Sequence, residues 1–409
     1  MIQAAEKYES NLKSGLFSSD EIKPLWTFLF ISLAFSGAFL FFSFELLMPT
    51  LPVYFSAIGG TDSQVGLIMG SFTFSAFAVR IFLARLAEKF GRNNLLKIGL
   101  SICLLSTALY YWAQSILLGL SVRILHGFGF GIATTILATL VADILPRQRR
   151  GEGIGYFGLF TTLAFAMAPF TGLWVLKNYD FGHLFSLATF LCFMAILLFM
   201  TIGKLVPESV EKGSGMSGGR SEVSGFSGFY FPGFLTLLMG ICLGSVICFI
   251  PLHARNINFQ DVGFFYLTST GFVFITRLFS GKVYDRLGHM WTLVPGSLFL
   301  FLALRLISSA TNAQEIVLGA AFNGLGMGLL FPSLQAWMIS LAPPSKRVSV
   351  NAVFFNSLDI GVGLGALGLG FIAEKSGYAM MYSSASMTMI LFLVVLLTGN
   401  RLITNNNFY

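Results

Sequence analysis

Residues 64–92 read QVGLIMGSFTFSAFAVRIFLARLAEKFGR. The stretch is nearly all apolar up to Leu83, then turns abruptly basic and acidic through Arg85, Glu88, Lys89 and Arg92. An apolar run of about 20 residues is what one helix needs to cross the hydrocarbon core of a bilayer. A transmembrane β-strand would alternate apolar with polar residues instead. The pattern returns 197 positions later, over residues 261–289, as DVGFFYLTSTGFVFITRLFSGKVYDRLGH. Val65 and Gly66 fall on Val262 and Gly263, Arg80 on Arg277, Phe82 on Phe279, and Gly91 on Gly288.

The offset continues without a gap. Gly127, Gly129 and Gly131 fall on Gly324, Gly326 and Gly328, Pro146 on Pro343, and Arg150 on Arg347. Two unrelated apolar segments would not keep Gly, Pro and Arg in register across three helices and two loops, so duplication is expected. Around these anchors the chain divides into about twelve apolar stretches. They are spans 26–55, 64–84, 95–114, 117–143, 152–176 and 182–203, then 233–253, 261–281, 291–310, 314–341, 349–372 and 376–399. The expected fold is an all-α membrane protein with 12 transmembrane helices in two six-helix pseudo-symmetric bundles. Residues 1–25 form a tail, 26–204 and 233–400 the bundles, 205–232 a Gly- and Ser-rich flexible linker, and 401–409 a second tail.

Composition agrees: 55% of the 409 residues are hydrophobic and only 11% charged, against about a quarter charged in soluble domains. The net charge of +7 is a matter of position and does not call for nucleic acid. On these spans 17 Lys and Arg residues fall on one face, and only Lys177, Arg255 and Lys375 on the other. The basic side is the cytoplasmic one, which puts both termini in the cytoplasm. Residues 1–25 lack the apolar core and cleavage site of a signal peptide, so the first span is expected to direct insertion. Short loops and no transit peptide favour a bacterial inner membrane. Cys103, Cys192, Cys242 and Cys248 lie inside spans without metal-ligand spacing, and read as small packing residues.

After span 2 comes Ala84-Arg-Leu-Ala-Glu88-Lys89-Phe-Gly91-Arg92, and after span 8 Gly281-Lys-Val-Tyr-Asp285-Arg286-Leu-Gly288-His289. Both resemble the loop signature of the major facilitator superfamily, Gly-x-x-x-Asp-Arg-x-Gly-Arg/Lys, and the resemblance extends over essentially the whole chain. It implies a conformational latch at Glu88, Gly91, Arg92, Asp285, Arg286 and Gly288. In it a carboxylate faces a helix N-terminus or a cation and holds the inner side closed. Ala84, Glu88 and Lys89 depart from the pattern, so the first copy is expected to pack more loosely. In span 4, Arg123-Ile-Leu-His126-Gly127 resembles the family's fourth-helix motif, Arg-x-x-x-Gly; the spacing puts these side chains on one helical face. Gly155, Ala164, Ala168, Pro169 and Gly172 in span 5 are similar to a degraded form of the family's proton-coupled exporter motif, with Ala for two glycines and Leu173 for the last. The run from Phe42 to Gly70 is similar to exporters of opine-type metallophores within the superfamily.

Ionisable groups inside spans are costly and functional by default. Glu45 in span 1 lies 19 residues from the inner end, about 29 Å along a helix. The family fold lines a central cavity with spans 1, 4, 7 and 10, which would set Glu45 near Arg123 and His126. Glu45 is read as the proton-coupling residue and Arg123 as its modulator, with Asp359 in span 11, on one face with Asn356, as a second candidate. Asn323 and Gln335 in span 10 offer hydrogen bonds to a solute, or to a neighbouring helix. Arg80 and Arg277 are most simply paired with loop carboxylates or lipid phosphates, and Arg305 has no assigned role.

The sequence contains no Gly-x-x-x-x-Gly-Lys-Ser/Thr loop, no His-Glu-x-x-His and no Gly-x-Ser-x-Gly. No cofactor or metal is therefore expected. The reading is a monomeric secondary transporter in the lipid bilayer whose partners are a small-molecule substrate and protons, most simply a proton-coupled exporter of a drug, metabolite or metallophore. A proton-coupled importer of a sugar or other metabolite is the alternative, and a non-transporting receptor with the same fold is the competitor from another class.

Overall fold

The computed structural model describes residues 24–146, 149–203, 227–259, 261–341 and 347–406, and all regular structure among them is helical. Lipid offers no hydrogen bonds, so an apolar segment in it must satisfy its own backbone, as a helix does. The helices are α1 (Phe28–Leu47), α2 (Thr50–Ala57), α3 (Asp62–Phe90), α4 (Arg92–Leu109), α5 (Ile116–Ile144), α6 (Arg150–Asn178) and α7 (Phe181–Ile202). There follow α8 (Ser227–Asn256), α9 (Gly263–Leu287), α10 (Met290–Ser309), α11 (Ala313–Ser340) and the run Arg347–Asn406. That last run is broken at Gly377, where φ is 79° and ψ 168°, and residues 347–376 and 378–406 are taken as α12 and α13.

Among the described residues ten helical stretches are long and apolar enough to cross a membrane. The first, Phe28–Ala57, holds both α1 and α2, and the last, Val353–Gly399, holds parts of α12 and α13. Arg277, together with the Tyr266, Thr268, Ser269 and Thr270 run, makes α9 less apolar than that set. The remaining surface carries large exposed apolar side chains such as Phe28, Leu117 and Phe274, as a lipid-facing surface requires. Two boundaries differ from expectation. Helix α8 starts at Ser227, so residues 227–232 of the expected linker are helical, while 205–226 lie outside the described residues. The last helix runs on to Asn406, so residues 401–406 of the expected tail are also helical.

The 197-residue offset reappears as geometry. A Cβ placed on Gly127 would lie 2.4 Å from the Phe72 carbonyl oxygen, and one on Gly324 would lie 2.2 Å from the Ser269 carbonyl oxygen; Phe72 and Ser269 are themselves repeat equivalents. A Cβ on Gly129 would lie 2.9 Å from the Cys103 backbone nitrogen, and one on Gly326 2.9 Å from that of Leu300. These contacts hold α5 against α3 and α4, and α11 against α9 and α10. Missing Cβ atoms let backbones meet at distances no larger residue allows.

Helix α2 touches α8, but helices of the first half meet those of the second mainly along two seams, α3 with α12 and α6 with α9. Both are tied at the end carrying Asp62 and Tyr378. There Tyr378 Oη donates to Asp62 at 2.6 Å, and the Ser63 backbone N–H to Glu374 at 3.0 Å. Lys177 forms an ion pair with Asp261. Lys177 and Glu374 are repeat equivalents, so one position in each half ties one seam. A Cβ on Gly66 would stand 2.2 Å from the Ala366 carbonyl oxygen, a measure of how tightly α3 and α12 are pressed together.

Candidate functional site

Helix α1 stops at Leu47 because Pro49, lacking an N–H, cannot continue the ladder. Thr50 Oγ1 donates to the Leu46 carbonyl at 2.8 Å across the break. Glu45 sits in the last turn before it and is only 5% exposed. Two serines fix the helix: Ser36 and Ser43 donate to the carbonyls of Ala195 and Ala188 in α7, each at 2.8 Å. On its other side α6 comes close, and a Cβ on Gly172 would meet the Leu46 carbonyl oxygen at 2.5 Å. Of the exporter-like motif, Gly172 thus shapes the turn that carries Glu45. Ala164 and Ala168 are buried and Pro169 lies inside α6; Gly155 belongs to the same helix.

Arg123 in α5 is fully buried. One turn on, Gly127 brings α5 against the Phe72 backbone, and this approach puts the Phe72 ring on the guanidinium. Its Cζ lies 4.3 Å from the Phe72 centroid and 5.9 Å from that of Phe44, within cation–π range. Nη2 is 3.1 Å from Met48 Sδ, while Nε and Nη1 have no hydrogen-bond partner among the described residues. Two aromatic faces and a thioether are weak compensation for a buried guanidinium, which ordinarily requires an anion. The Met48 it touches is one helical turn beyond Glu45. Glu45 and Arg123 make no ion pair here, although Arg123 and Asp359 are the charged groups within electrostatic reach of Glu45.

His126 is buried beside Arg123, its Nδ1 3.2 Å from Tyr110 Oη and its ring edge-on to Phe72 at 5.3 Å. Tyr110 lies in the short 3₁₀ turn that ends α4, and no motif pointed to it. Nor did the sequence single out Phe44, Phe72 or Met48, because apolar residues in a membrane span look alike whether they face lipid or a charge.

Asp359 is brought to a different partner. Arg80 Nη1 in α3 donates to Asp359 Oδ2 at 2.7 Å and to Asn356 Oδ1 at 3.4 Å, so the expected shared face of Asp359 and Asn356 is present. For Arg80 this corrects the expected loop carboxylate or lipid phosphate: its partner is a carboxylate of the opposite half. Asn323 is buried and donates through Nδ2 to Ser269 Oγ at 2.9 Å, which commits that amide to α9–α11 packing. Gln335 is half-buried further along α11. At the expected latch, Gly91 and Gly288 adopt φ of 75° and 86°, the region open to glycine. Arg92 pairs with Asp143 of its own half. Glu88, Asp285 and Arg286 are exposed and form no ion pair among the described residues.

The family model described as Major Facilitator Superfamily matches residues 33–313 and 233–406. The chain belongs to the Major Facilitator Superfamily. As a superfamily member it is a membrane transporter and not an enzyme. The staphylopine export protein of Staphylococcus aureus is 23% identical over 87% of this chain and 92% of its own. The multi-drug resistance efflux pump PmrA of Streptococcus pneumoniae is 23% identical over 84% and 89%. The crystal structure of a point mutant of the peptide transporter POT superposes with a TM-score of 0.74 at 16% identity, over 91% of this chain and 94% of that one, and shares the fold.

Proposed function

We propose that the protein is a proton-coupled exporter of a small organic solute, with Glu45 as its proton-binding residue and Arg123 as the group that tunes it. The observation that carries this reading is a buried carboxylate one helical turn from the Met48 that a fully buried, carboxylate-free guanidinium touches. A deprotonated Glu45 attracts either a cationic solute group or Arg123; a protonated one attracts neither. Proton and solute therefore compete for one site, which is the requirement for exchange. Two similar proteins carry names that state export, and this supports the outward direction.

The architecture in this reading is twelve crossings in two six-helix bundles, with both termini in the cytoplasm of a bacterial cell and a single chain as the working unit. The seams are then tied at the outer end, and the central space opens inward. The latch residues Glu88, Gly91, Arg92, Asp285, Arg286 and Gly288 would engage when the inner side closes, with the proposed linker letting the bundles rock. Asp359 takes the part of a charge that clasps the halves together through Arg80.

The test is transport by purified protein in proteoliposomes with and without an imposed pH gradient, the solute being found by comparing metabolites inside and outside cells that have or lack the protein. Gradient-driven flux by the wild type and none by Glu45→Gln is expected. Full gradient-driven flux by Glu45→Gln would overturn the assignment of Glu45.

A further inference from the structure

Arg80 and Arg277 occupy equivalent positions in the repeat, on α3 and α9, yet their surroundings differ. Arg80 has an anion from the opposite half, Asp359, and the amide oxygen of Asn356. The residues of α6 equivalent to Asp359 and Asn356 are Thr162 and Leu159, and neither carries charge. Arg277 accordingly makes no hydrogen bond or ion pair among the described residues; it is exposed, and its Cζ lies 6.0 Å from the Phe331 ring of α11. The carboxylates of its own neighbourhood do not serve it. Asp261 belongs to Lys177, and Asp285 is eight residues along, about 12 Å of helix. Lys282 and Arg286 are cations.

We propose that Arg277 receives an oxyanion, a carboxylate or phosphate, carried by the solute. The position repeats the cation of the Arg80 site without the carboxylate that the protein itself supplies there. A guanidinium fork matches a planar oxyanion through two parallel hydrogen bonds, and the exposure of Arg277 leaves its fork open to one. Arg80 reaches across its seam to the other half; Arg277 stands on α9, the helix that meets α6 across the second seam, with the Phe331 ring of its own half as neighbour. That seam is tied at its outer end by Lys177 and Asp261. With Glu45 supplying the negative charge of the pathway and Arg277 the positive one, the solute is a molecule bearing both a basic group and an oxyanion. This presupposes that the chain transports by alternating access.

The experiment uses full-length protein in phosphatidylcholine vesicles, with and without phosphatidylglycerol. It compares the solute found in the metabolite screen with the same compound after esterification of its acid group. Wild type is expected to prefer the free acid by about ten- to a hundredfold. Arg277→Gln should lose that preference while still moving the ester, and Arg277→Lys should keep part of it. A solute with no acid group, or equal losses of acid and ester in Arg277→Gln, would overturn the assignment. An Arg277→Gln effect confined to vesicles with phosphatidylglycerol would also overturn it, by giving the oxyanion to a lipid headgroup. No flux of any compound by wild type would instead remove the transport reading itself.

Discussion

The two halves share a scaffold and differ in charge. Glycines at equivalent positions bring equivalent helices to nearly equal distances, as Gly127 with Phe72 and Gly324 with Ser269 demonstrate. At the chemically interesting positions the halves part. Glu45 corresponds to Cys242, Arg123 to Ala320, His126 to Asn323 and Tyr110 to Ile307. Where the first half buries an acid and a base, the second buries a thiol that contacts Thr388 Oγ1 at 2.7 Å and an amide that packs on Ser269. The seams differ likewise: α3 and α12 are joined by Arg80 and Asp359 as well as by the ties near Asp62, whereas Arg277 has no such partner among the described residues. A duplicated frame can keep its packing while one copy specialises, because glycine contacts set helix spacing and single side chains set charge.

The sharpest test of this contrast exchanges equivalent residues. Glu45→Gln is expected to abolish flux driven by a pH gradient, and Cys242→Ser to leave it intact, with proteoliposome flux as the readout. The next largest effect lies at the seams. A methyl on Gly66 meets a backbone oxygen at 2.2 Å, whereas one on Gly263 meets the Phe170 side chain at 3.1 Å, which can yield. Gly66→Ala should destabilise the seam at its Asp62–Tyr378 end by about 1–3 kcal/mol, the usual cost of overpacking, and Gly263→Ala by less. Spin-label distances between positions 67 and 371, together with thermal melting, would register both.

A double-mutant cycle on Arg80 and Asp359 should return a coupling of about 0.5–3 kcal/mol. Arg277→Ala alone should stay within about 0.5 kcal/mol of wild type in melting experiments. The charge-reversed pair Arg80→Asp with Asp359→Arg should recover part of the loss. A modest effect is expected where Tyr110 meets His126. Tyr110→Phe removes one buried hydrogen bond to His126 and should cost about 0.5–1.5 kcal/mol, while Ile307→Val, its equivalent, would change melting without touching the pH dependence of transport. Equal responses in the two halves would show that the polar cluster around Arg123 is packing and nothing more.

Much of this was legible before any coordinates. Helix positions followed from apolar length, the repeat from glycines and arginines in register, and the family from two loop motifs. Glu45 and Arg123 stood out because charges in spans are rare. Partners were not legible. Asp359 and Arg80 are 279 residues apart, and no spacing rule connects them; Tyr110 and Met48 became visible only once helix rotation placed them on His126 and Arg123.

By itself the chain of residues determined that this protein lives in lipid as repeated helices, since no other structure lets such apolar segments satisfy their backbones. Tertiary structure alone decided which charges are matched. Whether an arginine finds a carboxylate depends on how helices rotate and which seam closes, and those are properties of packing between distant segments. That is why Arg80 and Arg277, identical in type and equivalent in register, end with different surroundings.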